Sequence, residues 1–169
     1  MVERSEPAGT KNPTTAERGE RAVIVSRTFD APARLVWEAW TRPELFRRWW
    51  VPKSSGLALL SLEQDVRVGG GYRLVFDLGD GKTMAFFGKY VEVTPPSRLS
   101  WTNEESDDGA VTTVTFEEKD GRTLLVMSEL YPSKQALELA LEWMDEAMPE
   151  TFEQLDEFLA GRAVGAQRS

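Results

Sequence analysis

Asp65 and Arg67 stand two residues apart in a segment that reads as a strand, so they share a face and could pair. A guanidinium held in that way can orient a ligand carboxylate or carbonyl, although the commoner use of such spacing is a salt bridge at a strand end. Glu63, Asp65, Asp77 and Glu129 all fall on expected strands and are the acids available for proton transfer. Nothing in their spacing brings two of them together, and acids on strands usually face water. The chain has no histidine and no cysteine. A Ser-His-Asp triad, a thiol nucleophile and the usual transition-metal ligands are therefore all excluded. A metal would need a carboxylate-only site, for which no loop motif exists. Gly69-Gly70-Gly71 precedes a strand rather than a helix and lacks a following Lys-Ser/Thr, so it reads as a turn or bulge and not a phosphate loop. The residue types thus single out no catalytic group, no metal and no cofactor.

What remains is apolar. Six tryptophans and eight phenylalanines are many for 169 residues. Trp49, Trp50, Phe76, Phe87, Trp101 and Trp143 lie on elements that should face the interior, as plain core or as the wall of a cavity. Met144 and Met148 belong to the same set, since methionine fills irregular space and adapts to varied ligands. Met127 lies on a late strand where Leu125, Met127 and Glu129 alternate with Leu124, Val126 and Ser128, and joins them.

These side chains need a frame, and Pro132–Ala160 is its centre. Ala140, Met144, Met148, Phe152, Leu155 and Leu159 recur at helical steps on one face, widened by Leu137, Leu141, Trp143 and Phe158. Glutamates occupy the opposite face. Pro149 interrupts the pattern and should kink the helix or divide it in two. Before it, Arg21–Phe29 reads as a strand. Asp30 and Pro32 suit a helix start, and Leu35, Val36, Ala39 and Trp40 form its inner stripe. Thr41-Arg42-Pro43-Glu44 is a capping-box sequence opening a second short helix. From Leu57 to Tyr131 the apolar period is two, with Asp80-Gly81 and Asp120-Gly121 as the clearest hairpin turns. The order is one strand, two short helices, six strands and a long helix. This is an α+β layout in which a curved antiparallel sheet can wrap around the last helix. Residues 1–20 and 161–169 lack an apolar period and read as disordered tails, with Gly161 ending the helix, so the folded domain spans 21–160.

Size and charge bound the rest. The length suits one domain, and 41 % apolar residues suffice for a core. Twenty basic against 28 acidic residues leave −8, and most of the excess sits on the outer face of the long helix. Such a surface repels phosphate backbones and anionic lipid, which argues against nucleic acid as a partner. No stretch reaches the apolar length of a membrane span. The absence of cysteine fits a reducing cytoplasm.

Arg27-Thr28-Phe29-Asp30-Ala31-Pro32, then Val36-Trp37, Ala39-Trp40-Thr41 and Trp49-Trp50, resemble the opening of a known family. Asp65-Val66-Arg67-Val68-Gly69-Gly70, Gly88-Lys89-Tyr90 and Pro95-Pro96-Ser97-Arg98-Leu99 continue the likeness. Over about 21–160 the chain is similar to bacterial single-domain members of the family related to the activator of heat-shock-protein-90 ATPase. That family belongs to the START-related, helix-grip superfamily of lipid-transfer proteins, birch-pollen allergens and polyketide cyclases. The resemblance implies a helix-grip fold, with about seven strands around the C-terminal helix and an apolar cavity between them. It implies a small hydrophobic or amphipathic ligand, held by Trp49, Trp50, Asp65, Arg67, Phe76, Phe87, Trp101, Met127, Trp143, Met144 and Met148. Two other uses of the superfold stay open. One is a cyclase- or aromatase-type enzyme with a carboxylate, Tyr72 or Tyr90 as its polar group. The other is an interaction module acting on a chaperone. A homodimer and a chaperone partner are compatible with the sequence, which points to neither. The chain departs from the family at Met148–Phe152, where Met-Pro-Glu-Thr-Phe stands in place of the frequent Gly and Gly-Trp.

Overall fold

The structure, a computed structural model, describes residues 14–104 and 109–168, and all of their side chains except those of 142–146 and 162–168. Eight strands form one antiparallel sheet: β1 (Thr15–Arg18), β2 (Ala22–Phe29), β3 (Ala58–Gln64), β4 (Gly71–Gly79), β5 (Lys82–Thr94), β6 (Arg98–Thr102), β7 (Val111–Lys119) and β8 (Arg122–Leu130). Their order across the sheet is β1-β2-β8-β7-β6-β5-β4-β3. Two short helices, α1 (Ala33–Thr41) and α2 (Pro43–Phe46), follow β2, and the long α3 (Lys134–Arg168) follows β8. The helix-grip layout is present, with eight strands instead of about seven. The additional strand is β1, which pairs with β2 along the sheet edge.

β1 lies inside the segment expected to be a disordered tail. The expectation followed from its lack of apolar period, and all four of its residues are indeed exposed. Backbone pairing, not burial, holds it in place. At the other end α3 continues through Gly161 to Arg168. Residues 1–13, 105–108 and 169 lie outside the described residues. Pro149 sits inside α3 without dividing it, on the exposed side, flanked by the buried Met148, Thr151 and Phe152.

Local signals held where the backbone itself decides. Asp80 and Asp120 adopt φ of 55° and 56° and are followed by Gly81 and Gly121 at 76° and 78°, the geometry of tight hairpin turns. The helix caps differ from expectation. α1 begins without a cap from Asp30; the Ala33 N–H donates instead to Glu118 Oε1 on β7 at 2.8 Å, and Asp30 pairs with Arg122. The Thr41 capping box also fails to form. Thr41 donates to the Trp37 carbonyl at 2.9 Å, closing α1, while Pro43 opens α2. In both cases a tertiary or preceding-turn partner outcompetes the local one.

The core lies between the concave sheet face and the helices. α1 crosses β7 and β8, α2 meets β3, and α3 packs on β2 and α1. The buried stripe of α3 runs through Leu137, Met148, Phe152, Leu155 and Leu159, with Ala140 and Leu141 half-buried. One buried ion pair joins α3 to the sheet. Arg27 on β2 donates to Asp156 Oδ2 at 3.1 Å, and their side chains are only 6 % and 11 % exposed. Arg27 also donates to Thr14 and lies 5.8 Å from the centre of the Phe29 ring.

Removing one member of such a pair leaves an uncompensated buried charge. Asp156→Ala should therefore lower stability by about 3–5 kcal/mol, and the double variant Arg27→Met/Asp156→Leu by clearly less. Urea denaturation of the three proteins decides. A loss below about 1 kcal/mol for Asp156→Ala would show that the pair does not hold α3 to the sheet.

Candidate functional site

The sheet and the helices do not match in width. Eight strands at about 4.8 Å spacing span roughly 34 Å, whereas one helix with its side chains covers about 10–12 Å. Over β2, β7 and β8 the concave face is largely covered: Val23, Val25, Phe29, Val114, Phe116, Leu125 and Met127 are all buried, while Glu129 stays half-buried. Towards β3, β4 and β5 cover thins, and Leu59, Leu62, Tyr72, Met84 and Phe86 stay half-buried, as does Trp101 on β6.

A row of polar side chains crosses this face. Register places Gln64 opposite Tyr72 and Tyr72 opposite Gly88; Tyr90, two residues along β5, lies opposite Trp101. Trp101 is opposite Thr112, and Thr112 opposite Glu129. Hydrogen bonds link most of the row. Tyr131 donates to Glu129 Oε1 at 2.7 Å and Thr112 to Oε2 at 3.2 Å. Asn103 donates to Thr112, while the Tyr72 hydroxyl lies 3.1 Å from Asn103 Oδ1 and 2.7 Å from the Thr102 carbonyl. At the far end Gln64 Nε2 donates to the Trp40 carbonyl and to the Tyr90 hydroxyl. Gly88 makes the row possible. A Cβ there would collide with the Thr102 carbonyl and come within 3.0 Å of the Tyr72 ring.

The aromatic side of the site centres on Trp40, which is fully buried. Its ring contacts Phe46, Trp49, Trp50, Trp101, Phe116 and Phe152 at centroid distances of 4.9–6.5 Å. Trp101 in turn meets Tyr72 and Tyr90 at 6.4 and 6.3 Å. Burial pushes the Tyr90 hydroxyl up to about 12, partly countered by the bond from Gln64. Burial, with Glu129 beside it, pushes the Tyr131 hydroxyl further above its ordinary range.

The residues singled out from sequence separate into groups. Trp49 is buried, with its indole N–H on the Ala39 carbonyl at 3.0 Å, and Trp50 is half-buried and stacked on Phe46 at 4.9 Å. Phe76, Met127 and Met148 are buried on the inner side, and Trp101 faces the row. Phe87 is not inside. β5 pairs Phe86 with the buried Leu74 and Phe87 with the exposed Arg73, so period two sends Phe87 to the convex face under the Arg73 guanidinium at 5.7 Å. Asp65 and Arg67 do pair, through Arg67 Nε at 3.0 and 2.9 Å to the two carboxylate oxygens, but β3 ends at Gln64 and the pair is exposed in the loop beyond it. With Glu63, Arg73, Phe87 and Lys89, Asp65 borders an open cleft of about 600 Å³ that Gln64, Tyr72 and Gly88 of the row also line. Trp143 and Met144 lie on the backbone of α3, but their side chains fall outside the described residues. Sequence reasoning did not group Gln64, Thr112, Asn103 and Glu129. Their common signal is cross-strand register, which appears only once the strands are paired.

Among the described residues no three carboxylates converge on a metal-sized site, and no helix is long and apolar enough to cross a membrane.

A curved antiparallel sheet gripping one long C-terminal helix defines the helix-grip class. Residues 30–160 match the family described as Activator of Hsp90 ATPase homolog 1-like protein, and the chain belongs to that family. Solved structures agree in fold. A protein of Nitrosomonas europaea is 24 % identical with a TM-score of 0.78, over 88 % of this chain and 99 % of its own. One of Rhodobacter sphaeroides is 23 % identical at a TM-score of 0.79, over 88 % and 98 %. CalU16 of Micromonospora echinospora is 21 % identical at 0.62, over 92 % and 90 %. Among curated proteins none matches the chain.

The tyrosine at the centre of the row carries a pH signature. An unfolded chain releases the Tyr90 proton near its ordinary value of 10.0, the native state near 12. Between these values the native state binds more protons, so stability falls as pH rises and is unaffected below the window. Full ionisation of one such group costs about 1.4 kcal/mol per pH unit. Urea midpoints at pH 9 and 11.5 should therefore fall further for wild type than for Tyr90→Phe. Equal declines would show that Tyr90 ionises in the fold as it does in water.

Proposed function

We propose that this chain is a binding protein for a small hydrophobic or amphipathic molecule, held between the sheet and α3. One observation carries the reading. Over β3–β6 the concave face keeps Leu62, Tyr72, Phe86 and Trp101 half-buried, beside the buried Leu74 and Phe76 and a hydrogen-bonded polar row, a mixture that suits a ligand site better than a solid core. Trp101, with Tyr72, Leu62 and Phe86, supplies apolar contact, and Gln64, Tyr90 and Glu129 supply orientation. Asp65 and Arg67, exposed and paired with each other, have no part in this version of the site. The cytoplasm is its expected compartment.

Glu129 supports a second reading, an enzyme of cyclase or aromatase type. It is a half-buried carboxylate on the concave face, held by Tyr131 and Thr112. Such an enzyme would gain chiefly by holding a reactive chain in shape. The family's description supports a third, a module acting on a chaperone ATPase. That reading predicts a change in Hsp90 turnover on addition of the folded protein, and the binding-protein reading predicts none.

Native mass spectrometry of freshly purified protein should show a co-purifying small molecule, and folded protein should bind an anilinonaphthalene dye at neutral pH. Trp101→Ala should weaken dye binding by about tenfold, equivalent to about 1.4 kcal/mol, while Asp65→Asn leaves it unchanged. Absence of dye binding by the folded wild type would remove the ligand reading. Should an activity be found that Glu129→Gln abolishes in a folded protein, the enzyme reading replaces it.

A further inference from the structure

All three α-helices pack on the concave face, which leaves the convex face of β2, β8 and β7 without a second layer among the described residues. Its outward positions run from Ala22 to Thr28 on β2, Leu124 to Leu130 on β8 and Val111 to Thr115 on β7. None of them is charged, in a chain with 28 % charged residues. The same face over β3–β5, by contrast, carries Glu63, Arg73 and Lys89. Ile24, Leu124, Leu130 and Val111 are large, apolar and exposed. Register sets Leu130 against Val111 on one side and Ala22 on the other, which makes an apolar ridge across three strands. Hydroxyls along both borders already bond to one another, Thr15 with Ser26 at 2.8 Å and Ser100 with Thr113 at 3.0 Å. Covering a hydroxyl that has a partner costs far less than covering one that depends on water.

We propose that this face is where two copies of the chain associate, sheet against sheet, about a two-fold axis near Ser128 and Thr113. These two lie opposite each other in the middle of the uncharged field. Charge favours a second copy. The chain carries −8, so contact through its acidic surface would set like charges together. The exposed acids of α3, Glu138, Glu153 and Glu157, belong to the layer on the other side of the sheet. Back-to-back packing leaves them outermost. Sheets pack about 10 Å apart and each helix lies roughly another 10 Å out, so the two α3 helices stand about 30 Å apart. That is several Debye lengths at physiological salt. Residues near a two-fold axis face their own copies, and an uncharged centre meets itself without a clash. A charged partner would find nothing there to pair with. Both signs appear only at the rim, as Glu17 beside Ile24 and Arg98 beside Thr115. The area is sufficient. Three strands of eight or nine residues, with the shorter β1 and β6, present roughly 600 Å² in projection. Two copies then bury about 1,200 Å², the lower end for a specific interface, which sets the expected dimer in the micromolar range. The inference is independent of what the concave face binds.

Sedimentation equilibrium of the full chain from about 1 to about 500 µM should show a monomer–dimer equilibrium with Kd of about 1–100 µM. Ser128→Lys places two like charges at the axis and should weaken association by about tenfold or more. Leu130→Lys, on the exposed ridge, should act in the same direction. Glu153→Lys, in the layer beyond the opposite face, should leave the constant within about threefold. Monomer throughout the range overturns the proposal. So does a dimer that neither folded convex-face variant weakens, and a dimer lost in Glu153→Lys alone assigns the contact to α3 instead.

Discussion

The mismatch between a wide sheet and a narrow helix shapes everything else in this molecule. An eight-strand sheet with one apolar face needs more cover than α3 can provide. The chain answers by inserting α1 and α2 between β2 and β3, which places a second layer over β7 and β8. Trp40 is the point where these covers meet. Its ring touches aromatic side chains from α2 and the turn after it, from β6 and β7, and from α3. Each edge-to-face pair adds about 0.5–1.5 kcal/mol beyond the area it buries. The cover thins over β3–β5, where Leu59, Leu62, Tyr72, Met84 and Phe86 stay half-buried.

Polar contacts fix the angle at which the helix lies. Arg27 and Asp156 tie the C-terminal half of α3 to β2, and a charged pair at such low exposure tolerates little misplacement. One turn earlier, α3 grips the segment after α2. Gln154 donates to the carbonyls of Trp49 and Val51, Thr151 donates to that of Trp50, and Gln154 and Glu150 accept from the backbone of Lys53 and Ser54. The bonds from Ser54 hold the Glu150 carboxyl below its ordinary range. A non-regular stretch with free peptide groups is thus satisfied by a helix rather than by water.

The concave row sets polar side chains into an apolar frame. Its apolar frame comes from the period-two alternation of the strands. Its polar positions, Gln64, Tyr72, Tyr90, Thr112 and Glu129, lie one per strand.

Much of the architecture was legible in the residues alone. The stripe from Leu137 to Leu159, the alternation in β4 and β8, and the Asp-Gly turns are local patterns whose outcome depends on neighbours only a few positions away. The same holds for the exclusion of histidine and thiol chemistry. Facts that turn on partners distant in sequence were not legible. β1 is held by pairing with β2 and carries no apolar signal. α1 takes its N-terminal acceptor from Glu118, 85 positions on, so Asp30 is not needed there. Phe86 and Phe87 are equivalent in a list of residues, and only pairing with β4 sends one inward and the other outward. Asp65 and Arg67 met as their spacing implied, yet the end of β3 at Gln64 left them outside. The sequence by itself determined which elements form, because periodicity and turn chemistry are local. Tertiary structure alone decided which polar groups share the concave face, because cross-strand register joins residues that the chain keeps far apart.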